Sequence, residues 1–244
     1  MKLNVFETAG EALEKLAEYF IEVAQQSILS HNRFSVALSG GSSPKRLYEL
    51  LASAYKDKVD WSNVYFFFGD ERYVPHTDPD SNYLMAKKAL FDPLAIAAFQ
   101  VFPVDTSVEP NIAAQKYTEV IKGFFNGKEM CFDLVLLGLG DNSHTASLFP
   151  NTSVLNDTMP SVKEVYLEEQ KVYRVTLNAP LINQACHIAF LVYGEGKAVA
   201  VHNVIEGDRD IINFPAQLIK PLKGELEWFL DRAAASNLTH YQKF

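Results

Sequence analysis

Apolar residues recur along this chain in two rhythms. Leu13, Leu16, Ala17, Phe20, Val23 and Ala24 fall at helical spacing, which predicts an amphipathic helix. Thr8 offers its N-cap, Glu11 three residues on completes a capping box, and the residues around Asn32 break it. Elsewhere the apolar residues come in short, mostly apolar runs, at residues 3–6 and at Phe34–Leu38, Val64–Phe68, Leu134–Leu137 and His187–Val192. Runs this short, bounded by glycine and polar clusters, predict buried strands. Val162–Leu167 and Val172–Leu177 flank residues 168–171 and predict a hairpin. Helical spacing returns after Ser43, with Ser43 as cap and Pro44 in the first turn. It returns again from Ser81 through Leu90, over residues 112–125, over 195–205, and in a final helical segment carrying residues 226–230.

Strands that alternate with helices predict an α/β fold: a doubly wound, mostly parallel sheet flanked by helices in a Rossmann-like, three-layer arrangement. The near-continuous apolar strands agree, because such a sheet is covered on both faces. The hairpin is then a small elaboration. With no repeat, low-complexity tract or long linker, residues 1–244 read as a single domain.

Composition narrows the partners. A net charge of −8 argues against nucleic acid or an anionic membrane, both of which want a basic face. It also means that any phosphate site must gather positive charge locally. The first residues do not form a signal peptide, and no window approaches the ~20 apolar residues of a membrane span, so a cytoplasmic protein is expected. The two cysteines, Cys131 and Cys186, match no metal-ligand spacing. Cys131 opens an apolar run and is expected to be a buried free thiol. The oligomeric state is left open between a monomer and a weak dimer.

In doubly wound sheets, ligands bind outside the carboxyl ends of the strands. Four such ends carry polar residues that a turn does not need. Ser39, Gly40, Gly41, Ser42 and Ser43 follow the strand Phe34–Leu38 and lead into a helix. Glycines let backbone N–H groups approach an anion, and a helix N-terminus favours negative charge. Asp70, Glu71 and Arg72 follow the strand Val64–Phe68; Arg72 is a candidate bidentate anion ligand, or part of a solvated turn. After Leu134–Leu137 come Gly138, Leu139, Gly140, Asp141, Asn142, Ser143 and His144. His144 is expected to open a helix, as a general base near neutral pH or as a structural cap. The other histidines, His31, His76, His187, His202 and His240, have no comparable setting. Lys197, in Gly194-Glu195-Gly196-Lys197-Ala198, is electrostatically misplaced at a helix start unless an anion sits there.

Taken together, the pieces LSGGSSPKRLYELLA, FFFGDERYVPHTDPDSNYLMAKKAL, FDLVLLGLGDNSHTASLFP, VTLNAPLIN, GEGKA and FPAQLI, which span roughly residues 36 to 219, resemble the 6-phosphogluconolactonase family. That family lies within the wider group that includes glucosamine-6-phosphate deaminase. The resemblance implies a hydrolase without metal or cofactor, acting on a sugar-phosphate lactone. It implies a phosphate held between residues 39–43, Arg72 and Lys197, and His144 as the base that activates water. Asp70 and Asp141 match polar catalytic positions, and Asn178 lies in a matched piece as a site-lining candidate. One departure stands out: Asn142-Ser143 replaces the family's Asp-Gly before the histidine. If that second position needs φ > 0, serine is strained there. Two other functions fit the same fold. A deaminase would carry a carboxylate where this chain has Phe149, and a tyrosine where it has Arg72. A non-catalytic sugar-phosphate sensor would keep the phosphate loop without needing His144.

Overall fold

A computed structural model describes residues 1–239, so His240 lies outside the described residues. Six strands form one all-parallel sheet: β1 (Lys2–Phe6), β2 (Phe34–Leu38), β3 (Val64–Phe68), β5 (Leu134–Leu137), β8 (His187–Val192) and β9 (Glu225–Asp231), in the order β1-β9-β8-β5-β2-β3. Between β3 and β5 the chain adds β4 (Asp70–Arg72). After β5 it forms the hairpin β6 (Val162–Leu167) and β7 (Val172–Leu177). These three make a second, antiparallel sheet in the order β4-β7-β6. The hairpin is therefore not a free projection. Thr176 and Arg174 pair with Asp70 and Arg72, which ties the hairpin to one of the strand ends singled out above.

The large sheet is buried on both faces, and strict alternation divides its side chains between two cores. Val36, Leu38, Phe66, Phe68, Leu134 and Leu136 face α1 (Ala9–His31), α2 (Ser42–Ser53) and the short α3 (Asn82–Ala86). Ala37, Phe67, Val135, Leu137, Phe190 and Trp228 face α4 (Pro110–Phe124), the hairpin, the single turn α5 (Ala179–Ile182) and α6 (Ala198–Ile205). Phe190 and Trp228 stack with ring centroids 3.9 Å apart and planes at 3°. Thr8 Oγ1 caps α1 by accepting from Glu11 N–H, while Glu11 accepts from Glu7 N–H, one residue before the position a strict capping box would use.

Four expectations change. Residues 226–230 form the core of β9, not a helix. Their short apolar run fits both periods, and pairing with β1 and β8 on either side decides for strand. Helix α2 begins at Ser42 with Gly41 as N-cap, so Ser43 caps nothing. His144 opens no helix; residues 141–150 form turns closed by a bridge between Thr145 and Leu148. Cys131 is partly exposed rather than buried, and the fold brings it to Cys186, with the two Sγ atoms 3.0 Å apart. Among the described residues no helix is long and apolar enough to cross a membrane.

Candidate active site

From β2 the chain moves outward to β3, then returns to place β5 on the other side of β2. The connections therefore diverge between β2 and β5, and a crevice opens at their carboxyl ends, as a topological switch point requires. The loops after β2 and β5 meet there: a Cβ on Gly138 would lie 4.0 Å from Ser39 Oγ. The resulting cleft has a volume of about 400 Å³.

One wall is the start of α2. Gly41 has φ +105°, a conformation L-residues rarely adopt, and it turns the chain from strand into helix. No side chain caps this end and its first turn holds no acid. Ser42 and Ser43 line the cleft, with the positive end of the helix dipole behind them. Ser39 is fixed from below by Tyr48, whose hydroxyl accepts from Ser39 N–H (3.0 Å) and donates to Ser39 C=O (2.8 Å).

The opposite wall is β4 and β7. Strand alternation separates the three consecutive charges of β4. Asp70 and Arg72 line the cleft. Glu71 is fully buried on the other side, accepting from the N–H groups of Asn82 (2.7 Å) and Tyr83 (2.8 Å) at the start of α3. Burial raises its pKa against those hydrogen bonds. Arg72 lies directly opposite Arg174 in the β4–β7 register, and both line the cleft. Arg174 donates to Tyr173 C=O (3.1 Å) and to Gln170 (3.3 Å). Its pKa is lowered, by burial first and by Arg72 second. Like charges paired across a strand destabilise unless an anion sits between them. Arg174 was not legible in the sequence, because nothing in Val172–Leu177 says which residue it will oppose.

The floor carries His144. Its ring stacks on Phe149, centroids 4.1 Å apart and planes at 20°, and it crosses Gly140, where a Cβ would lie 2.0 Å from Nδ1. Nδ1 is 2.5 Å from Asn142 Oδ1, which also accepts from His144 N–H. An amide oxygen only accepts. Nδ1 therefore carries the proton, and Nε2 is the basic nitrogen of a neutral ring. Burial holds the pKa down to about 4; Asp70 pulls the other way and Lys197 adds to the depression. Asp70 is positioned by Ser147, whose hydroxyl donates to Oδ2 at 2.7 Å.

Of the remaining candidates, only Lys197 lines the cleft. Its ammonium binds Asp141 Oδ1 at 2.5 Å. Asp141 is 81% exposed and sits at the rim as that lysine's partner, outside the cleft lining. Asn178 does not reach the cleft. It is fully buried, caps α5, and donates to Asp157 and Met159 C=O, because its side chain is needed where β7 enters the next turn. Ser143 has φ +62°, the strained conformation feared from the Asn142-Ser143 departure.

These features define a class: an α/β protein with a cation-lined pocket at the switch point of its sheet, and an uncharged histidine beside it. Residues 7–228 match the family described as glucosamine-6-phosphate isomerases/6-phosphogluconolactonase, and the chain belongs to that family. A 6-phosphogluconolactonase of Nostoc is 40% identical, with 87% of this chain and 88% of that protein covered. One from Haemophilus influenzae is 36% identical over 94% and 96%. Among solved structures, the 6-phosphogluconolactonase from Trypanosoma cruzi superposes with a TM-score of 0.86 at 30% identity, covering 98% and 97% of the two chains.

Proposed function

We propose that this chain is a cytoplasmic 6-phosphogluconolactonase, hydrolysing 6-phospho-D-glucono-1,5-lactone to 6-phosphogluconate in the oxidative pentose phosphate route. The observation that carries the reading is the joint presence, in one cleft, of a neutral His144 with a free Nε2 and an uncapped helix start faced by Arg72, Arg174 and Lys197. The phosphate sits among residues 39–43 and these cations, a distant handle whose binding energy orients the lactone carbonyl. His144 Nε2 takes a proton from water as its oxygen attacks that carbonyl. The negative Asp70 stabilises the imidazolium that forms. The tetrahedral intermediate then collapses, the ring C–O bond breaks, and the ring oxygen takes the proton back from His144. Charge on the carbonyl oxygen needs donors in the cleft. Gly140 N–H is not one, since it donates to His144 C=O.

The deaminase reading is disfavoured at Phe149, whose ring packs on His144 where an acid would be needed. Two substrates separate the readings. The chain should accelerate opening of 6-phosphogluconolactone and act far more weakly on the unphosphorylated lactone. Ammonia release from glucosamine 6-phosphate, with no lactone opening, would replace this proposal with the deaminase.

A further inference from the structure

We propose that Cys131 and Cys186 form a thiol–disulfide exchange site at the end of the sheet opposite the cleft, which closes to an intramolecular disulfide on meeting a small organic disulfide. The residues lie just before β5 and beside the start of β8, two adjacent parallel strands whose register sets Leu134 against His187. Fifty-five positions apart in sequence, their Sγ atoms stand 3.0 Å from each other, closer than two sulfurs rest without a hydrogen bond or a covalent bond between them. Joining them asks the two sulfurs to close by about 1 Å, to the ~2.05 Å of an S–S bond.

The two thiols are unequal. Cys186 is exposed and Cys131 only partly so. The hydrogen bond, then burial, raises the pKa of Cys131, and the same bond lowers that of Cys186, in line with the greater exposure of Cys186. A cavity of about 200 Å³ beside them is bordered by Lys223, Glu129 and Asn183, and admits one arm of a small disulfide. This asymmetry assigns the order of events. The Cys186 thiolate attacks one sulfur of the incoming disulfide; its S–S bond breaks and one small thiolate leaves, taking up the proton that Cys186 gave up. Cys131, deprotonating, then attacks Cys186 Sγ and expels the second small thiol. The protein loses two hydrogens and two electrons, and the small disulfide becomes two thiols.

The cross-link staples β5 to β8 at their amino ends, while the catalytic loops leave their carboxyl ends. It closes a long chain loop in the unfolded state, so it should raise thermal stability and leave the cleft intact.

The test uses the full chain, its Cys131→Ser and Cys186→Ser variants, and oxidised glutathione as probe. Wild type should lose both titratable thiols, become lighter by two hydrogen atoms, accumulate no glutathione adduct, and gain on the order of 5 °C in Tm. Cys131→Ser should stop at a stable adduct on Cys186, and Cys186→Ser should react at least about tenfold more slowly. Wild type that keeps both thiols, or that carries a lasting adduct without closing, overturns the proposal. Equal reaction rates of the two variants overturn the assigned order.

Discussion

At the scale of single residues, the proposed chemistry turns on the state of His144. A free imidazole titrates near pH 6.5, which is where the sequence alone would put the acid limb of activity. The buried, Phe149-stacked ring is displaced to about 4. At saturating substrate, kcat should therefore stay level from pH 8 to below 6 and fall only as the pH nears that value; a limb at 6.5 would show that the ring is solvated. The sign for stability follows from the same displacement. Between 6.5 and about 4 the unfolded chain binds a proton that the folded chain refuses, so this residue's contribution to stability declines as the pH drops through that window. In the proposed reaction Asn142 is a positioning residue. Asn142→Asp would place a negative charge on Nδ1–H, stabilise the imidazolium and move the acid limb upward; an unmoved limb would remove Asn142 from the account. The proposed reaction gives Arg174 to substrate binding. Arg174→Gln should raise KM by about ten- to a hundredfold, the worth of a charge-assisted hydrogen bond, with a smaller change in kcat. An unchanged KM would leave the phosphate to Arg72 and Lys197. That His144, Arg72 and the serine-glycine loop meet in one cleft was legible because each follows the carboxyl end of a strand. Arg174 was not, since its role depends on a cross-strand partner about a hundred residues earlier. Asn178 looked functional from its motif and is instead consumed by capping.

At the scale of elements, turns and strand ends do the positioning. The alternation within β4 sends Asp70 and Arg72 to the cleft and Glu71 to the start of α3, so three adjacent charges serve two sites. Two glycines shape the turns of the cleft. Gly41 turns β2 into α2 at φ +105°, and Gly140 lets the His144 ring lie against the backbone. Ser143 occupies the left-handed region without that freedom. Relief of this strain should make Ser143→Gly more stable by about 1 kcal/mol, read as a rise of a few degrees in Tm. A lower Tm would mean that the serine side chain, which is buried, contributes more through packing than the backbone loses. The sequence showed the strands well where apolar runs are bounded by glycine, as at Leu134–Leu137. It misled at 226–230, where a run apolar on both faces has no period of its own and tertiary pairing decides.

At the scale of the whole molecule, the reversal of strand order between β2 and β5 makes the cleft, and the second sheet supplies its far wall. That wall is joined to the main sheet by Leu177 N–H bonding to Gly69 C=O and by the Thr118 hydroxyl of α4 accepting from Val162 N–H. The two sheets should therefore unfold together: one cooperative transition, shifted upward by 6-phosphogluconate through binding to the folded state alone. Two resolved transitions would show the hairpin sheet melting by itself. The parallel sheet was legible from strand–helix alternation, whereas the attachment of β4 to the hairpin was not, because a three-residue strand carries no periodicity.

The central claim is that His144 activates water on a phosphorylated lactone. Its most direct test follows the opening of freshly generated 6-phosphogluconolactone, with wild type and His144→Asn compared side by side. Wild type should exceed the spontaneous rate, and the variant should lose about 10²–10⁴-fold in kcat while still binding 6-phosphogluconate. Near-normal turnover by His144→Asn, or no acceleration by wild type, would contradict the account.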